Sequence, residues 1–257
     1  MSGHCPFSDF ITLAHRAGAE IAARQNAIVR AGADAVFRKD DNSPVTKADK
    51  AASTILCEGL AVLAPDIPVI SEEEAIPPLE VRRSWQEYFL VDPLDGTKGY
   101  LRGDGDYSVC IALMRNNQPV AGIIHVPARD VTYYGSPEAG AWKVEAEGKP
   151  QQLYTRTQSP EGSFVVLQSR VTSTPRLDAY MGGTPHTRLI ASSAYKFCLL
   201  AEGLAQLYPC LHPTWEWDTA AGQAILHGAG GVVTDLEGLP LQYGKQSLLN
   251  DSFVARA

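Results

Sequence analysis

Several things are missing from this sequence, and each absence closes off a class of explanation. Five cysteines stand at positions 5, 57, 110, 198 and 210, and no two form a CxxC pair. An odd, scattered set argues against a disulfide framework and against a thiolate zinc site. Cys57, Cys110 and Cys198 lie in apolar surroundings and read as small core residues. No apolar run approaches the ~20 residues that span a bilayer. The opening MSGHCPFSDF lacks a basic region followed by an apolar run, so no signal peptide is expected and a reducing, cytoplasmic setting is the default. Basic charge is also scarce: 22 Lys and Arg stand against 29 Asp and Glu, a net charge of −7. A nucleic-acid polymer is therefore not an expected partner, since phosphate backbones need clustered cations. Acidic residues can still hold divalent cations, which in turn hold phosphate. Internal repeats and low-complexity segments are absent too.

What remains is an ordinary globular composition, 45% hydrophobic and 20% charged over 257 residues, enough for one large domain or two modest ones. Phe10, Leu13, Ala14, Ala17 and Ile21 recur at helical period and predict a helix over 8–29, with Ser8 as its N-cap. The polar stretch from Arg38 to Pro44 reads as a loop. Thr46-x-x-Asp49 resembles a capping box that starts a second helix, with Ile55, Leu56, Leu60 and Leu63 as its apolar stripe. From Pro68 the pattern turns to strands. Tyr88–Val91 is a continuous apolar run, expected of a strand buried on both faces, and Asn116-Asn117 joins a hairpin between 107–114 and 119–126. Residues 131–135 and 140–144 extend this meander. Composition loosens after about residue 148, which predicts an N-terminal α+β unit over 1–148 and a C-terminal α/β unit over 149–257.

The acidic residues carry the chemistry. In Asp92-Pro93-Leu94-Asp95-Gly96-Thr97 an apolar strand runs into a turn holding two aspartates. Two carboxylates on a stiff scaffold repel, so one takes a proton or a cation sits between them. Mg²⁺ suits the second case. A structural turn, with Asp95-Gly96 as its tip, explains the pair equally well when the segment stands alone. The separation of three residues speaks against the covalent aspartyl phosphatases, whose two aspartates are two apart. Ser71-Glu72-Glu73-Glu74 follows a short strand, either as a solvated acidic run or as a contribution to a strand-end site. Asp218, in Trp215-Glu216-Trp217-Asp218, is a helix N-cap or a site residue, and the paired tryptophans suggest a rigid helix entry.

Taken together, Asp92–Thr97, Trp217-Asp218-Thr219-Ala220-Ala221-Gly222 and the preceding Glu72-Glu73 resemble the motifs of the inositol monophosphatase superfamily, in its order. The similarity runs from Pro44 to the C-terminal strand. Within it the chain is most similar to the 3′(2′),5′-bisphosphate nucleotidases, through Ser71-Glu72-Glu73, the 90–98 segment and Lys196–Gly203. It departs from them at Gly99, at Cys210, where a basic residue is common, and at His212.

The resemblance implies a layered αβαβα sandwich of the sugar-phosphatase type, with the site between two subdomains. It implies a lithium-sensitive phosphatase using two to three Mg²⁺ ions. Glu72, Asp92, Asp95, Asp218 and the Leu94 carbonyl would be the ligands. Thr97, paired with Asp49, would orient or help deprotonate a water, and the Gly96 and Thr97 amides would hold phosphate oxygens. Ser193 and Lys196 would contact the nucleotide, although a helix-surface Lys explains Lys196 nearly as well. The implied substrate is adenosine 3′,5′-bisphosphate, a by-product of sulfate assimilation. Inositol phosphates, fructose 1,6-bisphosphate and a non-catalytic metal-binding role are the alternatives. A homodimer and a peripheral association with the cytoplasmic face of the inner membrane stay open.

Overall fold

Strand Glu87–Asp95 is buried on both faces, and the alternation of its side chains divides the molecule into layers. Phe89 and Val91 join one core cluster, Tyr88 and Leu90 the other. This computed structural model describes residues 7–31, 36–38, 44–146, 148–158, 162–170 and 172–257.

In chain order, helix α1 (Ser8–Ala31) leads to a ribbon of β1 (Val36–Arg38) and β2 (Pro44–Thr46), then helix α2 (Lys47–Leu63). Ser8 is the first helical residue rather than the cap. The centre of the predicted Arg38–Pro44 loop lies outside the described residues, as does Cys5. Helix α2 starts as Thr46 and Asp49 predict: Thr46 N–H donates to Asp49 Oδ2 at 2.8 Å, and Thr46 Oγ1 accepts from Ala48 N–H at 3.1 Å. Such a cap contributes about 0.5–2 kcal/mol.

The larger sheet has seven strands in chain order: β3 (Val69–Ser71), β4 (Glu87–Asp95), β5 (Ser108–Arg115), β6 (Gln118–Val126), β7 (Val131–Ser136), β8 (Gly140–Glu145) and β9 (Gln151–Leu153). Helices α3 (Leu79–Arg82) and α4 (Thr97–Arg102) sit on its connections. Only the β3–β4 pair is parallel among these strands. Asn116 and Asn117 take φ of 50° and 58°, the left-handed pair of a tight hairpin turn.

The second sheet contains β10 (Val165–Gln168), β11 (Thr187–Ile190), β12 (Leu207–Cys210), β14 (Val232–Asp235) and β16 (Phe253–Arg256), in the order β11-β10-β12-β16-β14. Helices α5 (Thr174–Met181), α6 (Ser193–Ala201) and α7 (Glu216–Gly228) accompany it, and β13 (Thr214–Trp215) pairs with β15 (Leu249–Asn250). The larger sheet takes in 151–153, past residue 148, while the second begins at Val165.

Three clusters define five layers. Leu13, Ile21, Leu56 and Leu60 pack α1 and α2 on the Phe89–Val91 face. Leu90 and Ile124 on the opposite face meet Phe197 and Ile225 of α6 and α7, which also meet Tyr208 and Phe253 of the second sheet. Leu177 and Met181 of α5 cover the far face of that sheet against Val166 and Val254. The result is the expected αβαβα sandwich. Helix α7 lies so close to β6 that a Cβ on Gly122 would stand 2.2 Å from the Ala221 carbonyl oxygen.

One buried polar cluster ties α1 to the sheet. The Thr132 hydroxyl lies 2.7 Å from His15 Nε2 and 3.0 Å from His125 Nδ1. Burial is the main cause that lowers the His125 pKa to about 4, with His15 adding to it and Asp130 opposing. An unfolded histidine titrates near 6.5, so between these values the unfolded chain binds a proton that the folded chain refuses. Stability is therefore full above pH 6.5 and falls as the pH drops toward 4, by roughly 3 kcal/mol from this group. NMR titration of the imidazoles checks this: His125 should stay neutral at pH 5.5, and an ordinary midpoint near 6.5 would remove the effect.

Candidate active site

Asp92 and Asp95 are three residues apart, which on a regular strand would send them to opposite faces. The register against β5 removes the conflict. Asp92 pairs with Cys110 and Asp95 with Ser108, so three steps on β4 oppose two on β5. This bulge brings both carboxylates to one side. Pro93 lies inside the irregular stretch, where a missing N–H costs the ladder nothing. Gly96 then takes φ +89°, and a Cβ there would meet the Asp106 carbonyl oxygen at 3.1 Å. The left-handed turn feeds directly into α4.

Backbone amides orient each aspartate. Asp92 Oδ1 accepts from Leu94 N–H at 3.0 Å. Asp95 Oδ2 accepts from Ala194 N–H at 2.8 Å and from Ser108 Oγ at 3.3 Å. Asp218 Oδ2 accepts from Trp215 N–H at 2.7 Å. Asp218 thus stands in the first turn of α7, three residues after the cap position, rather than at the cap. The Trp215 and Trp217 rings stack at 5.1 Å beside it.

Oxygen atoms of Asp92, Asp95 and Asp218 lie within 4.8 Å of one another. Burial pushes the Asp92 carboxyl well up, and the charges of Glu72, Asp95 and Asp218 push it further. Burial also raises Asp95, to about 6, against the Ala194 amide and the Lys196 charge. The set offers only carboxylate oxygens, from buried Asp92 and Asp95 and half-buried Asp218, a donor type and charge that fit a hard divalent cation. Glu72 stands at the end of β3, its amide bonded to the Val91 carbonyl at 3.1 Å and its side chain beside Asp92. It is half-buried, whereas Glu74 of the same run is exposed.

Thr97 and Asp49 form a second element of the site. Thr97 Oγ1 lies 3.2 Å from Asp49 Oδ1 and 3.3 Å from the Leu94 carbonyl oxygen, to either of which it can donate. Asp49 Oδ2 accepts from both the amide and the hydroxyl of Thr46, the latter at 2.6 Å. Burial raises the Asp49 pKa while these Thr46 bonds oppose the rise. The capping box that starts α2 therefore also fixes the carboxylate facing Thr97.

A cavity of about 290 Å³ opens in front of these groups, with Glu72, Gly96, Thr97, Ser193 and Lys196 in its wall. Lys196 is not a surface lysine: it is 1% exposed, donates to the Ala191 carbonyl at 3.2 Å and lies 4.6 Å from the Tyr208 ring centroid. Burial lowers its pKa to about 8. The N-terminus of α6 is already engaged, since the Ala194 amide serves Asp95. A larger cavity, about 490 Å³, lies against Phe7, Phe10 and Phe89, and none of Glu72, Asp92, Asp95 and Asp218 lines it.

Sequence reading singled out Lys98 but missed Arg102 and Arg170, which with it bring cationic side chains to the smaller cavity. Asp104 pairs with Arg102 at 2.6 Å and with Arg170 at 3.6 Å, and Asp106 pairs with Arg129 at 2.8 Å and with Arg170 at 3.6 Å. The one available signal was position: Ser169-Arg170 directly follows β10, a strand-end location. Cys210 is buried, with Sγ 3.7 Å from His212 Nε2. The cations at this cavity come from other segments. Cys57 is half-buried, while Cys110 and Cys198 are core residues.

Known proteins share both fold and sequence. The 3′(2′),5′-bisphosphate nucleotidase CysQ of Salmonella typhimurium is 48% identical over 219 residues, covering 84% of this chain and 86% of that protein. CysQ of Escherichia coli K12 is 46% identical over 221 residues, 85% and 87% of the two chains. The crystal structure of CysQ from Bacteroides thetaiotaomicron, a bacterial member of the inositol monophosphatase family, superposes with a TM-score of 0.80 at 34% identity, covering 97% and 96%. The pattern of the inositol monophosphatase family matches residues 8–256. On this evidence the chain belongs to the inositol monophosphatase family.

Proposed function

We propose that the chain is a Mg²⁺-dependent phosphomonoesterase that removes the 3′-phosphate of adenosine 3′,5′-bisphosphate, giving AMP and phosphate. The grouping of Asp92, Asp95 and Asp218 carries this reading, with Glu72, beside Asp92, in the wall of a cavity that Arg102 and Arg170 also line. Its substrate comes from the 46–48% identical nucleotidases. Asp92, Asp95, Asp218, Glu72 and the Leu94 carbonyl would hold the cations, two to three in number. Bound Mg²⁺ would neutralise phosphate charge, make a water more acidic and stabilise the leaving oxygen.

The residues of the chain do the rest. With its hydrogen directed to Asp49, the Thr97 oxygen offers a lone pair that orients the attacking water and accepts its proton in a hydrogen bond. Raised basicity suits Asp49 to share that proton. First-turn amides of Gly96 and Thr97 face no intrahelical acceptor and suit phosphate oxygens. Water attacks phosphorus as the bond to the 3′ oxygen breaks, and no phosphoenzyme forms. Arg170 and Arg102 supply charge for the second phosphate, and the Asp104 and Asp106 pairs hold them in place. Ser193 lines the nucleotide side of the same cavity.

Phosphate release from adenosine 3′,5′-bisphosphate, inositol 1-phosphate and fructose 1,6-bisphosphate tests the reading. The first should lead inositol 1-phosphate by about 100-fold in kcat/KM, because a site built for a second phosphate rejects analogues lacking it, and should also lead fructose 1,6-bisphosphate, whose second phosphate stands at a different distance from the first. Arg170→Met should raise KM for the bisphosphate by roughly tenfold and leave adenosine 3′-monophosphate almost unaffected. Equal turnover of inositol 1-phosphate would overturn the assignment.

A further inference from the structure

Asp218 reaches the site from a helix start that is itself held by an ion pair between a buried glutamate and a half-buried lysine. Glu216, the first residue of α7, has no solvent exposure. Its Oε1 accepts from Lys245 Nζ at 2.8 Å and its Oε2 from Gly244 N–H at 2.9 Å. Lys245 Nζ also donates to Asn250 Oδ1 at 2.9 Å. Asn250 Nδ2 in turn donates to the Trp215 carbonyl at 3.2 Å and to Thr219 Oγ1 at 3.0 Å. The segment 244–250 therefore grips the residues on both sides of Asp218.

The same segment is tied to the other wall of the site. Arg82, at 8% exposure, donates to the Lys245 carbonyl at 3.0 Å and to the Gln246 carbonyl at 3.1 Å. Its Nε donates to the Pro77 carbonyl at 2.9 Å. Arg82 lies on the β3–β4 connection, which begins at Glu72. A continuous path of hydrogen bonds, through the backbone carbonyls of Lys245 and Gln246, thus runs from the Glu72 connection and Arg82 to Lys245, Glu216 and the first turn of α7.

We infer that Lys245 and Arg82 are positioning residues that set Asp218 against Asp92 and Asp95, so that the strength of divalent-cation binding depends on a clasp outside the site. The inference rests on the proposed cation site. A group shifted by a few tenths of an ångström binds a small octahedral ion such as Mg²⁺ poorly, because that ion tolerates little distortion. Lys245→Met removes the ammonium and leaves the stem. Arg82→Met cuts the clasp from the β3–β4 connection and touches neither Glu216 nor Asp218.

Calorimetric titration of Mg²⁺ and hydrogen exchange at the Trp215 amide, which Asp218 accepts, provide the test. Lys245→Met should weaken Mg²⁺ binding by about tenfold or more, the usual effect of losing an outer partner of a ligand, and speed Trp215 exchange in the metal-free protein. At saturating Mg²⁺, KM for the bisphosphate should stay within about threefold of wild type. Lys245→Arg should restore Mg²⁺ binding. Where Lys245→Met fails to fold, Arg82→Met decides, with the same direction expected. Lowered thermal stability with unchanged Mg²⁺ affinity in the folded variants would reduce the clasp to a structural role and overturn the inference. A wild-type protein that takes up no Mg²⁺ would instead overturn the proposed cation site.

Discussion

Asp92→Asn is expected to lower Mg²⁺-dependent phosphate release by roughly 1000-fold or more while raising the melting temperature of the metal-free protein. The two effects come from the same electrostatics. Asp92 is 2% exposed, and burial together with Glu72, Asp95 and Asp218 makes its ionised form costly. Asparagine keeps an oxygen to accept the Leu94 amide, so the bulge that turns the chain keeps its internal hydrogen bond. It removes one charge from the cluster, which should stabilise the metal-free fold by about 1–2 kcal/mol, or a few degrees. A purely structural turn gives the opposite sign, because there a capping carboxylate would be favourable. Assay of phosphate release and calorimetric melting in a chelator separate the two. Wild-type turnover by Asp92→Asn would remove Asp92 from the cation site, and a lowered melting temperature would show that its charge is not under strain.

The layers of the fold were legible where hydrophobic period was unbroken. Tyr88–Val91 read as a two-sided strand because it is one. The Thr46–Asp49 box marked the start of α2 to the residue. The bulge at Pro93 was not legible. The motif gave a separation of three, and only the pairing with Cys110 and Ser108 reveals why that separation converges. Lys196 left two readings, a nucleotide contact and a helix-surface lysine, and the structure removes the second. On an apolar helix a lone lysine reads as the exposed side, yet helix α6 lies beside α7 between the two sheets, so there is no exposed side at that position. Arg102, Arg170 and their aspartate partners were invisible because they come from the end of α4, the α4–β5 connection and the β10–α5 connection, whose proximity is a property of topology and not of spacing. The same holds for Glu216 and Lys245, which are 29 residues apart.

Thr97→Val should separate the reactive water from the cation site. Valine keeps the shape and the β-branch but has no oxygen to face the water, so kcat should fall by about 100- to 10 000-fold, the range for a lost proton-transfer partner. Mg²⁺ binding measured by calorimetry should stay near the wild-type value, since Asp92, Asp95 and Asp218 keep their own amide partners at Leu94, Ala194 and Trp215. Asp49 loses one contact but remains held by both donors of Thr46, so the cost in stability should be only about 1 kcal/mol. Thr97→Ser returns the hydroxyl without the methyl and should recover most of the rate. A Thr97→Val enzyme with wild-type kcat would mean that water is oriented elsewhere. Parallel losses of rate and Mg²⁺ affinity would mean that Thr97 serves the cations through its contact with the Leu94 carbonyl, 3.3 Å away, instead of the water.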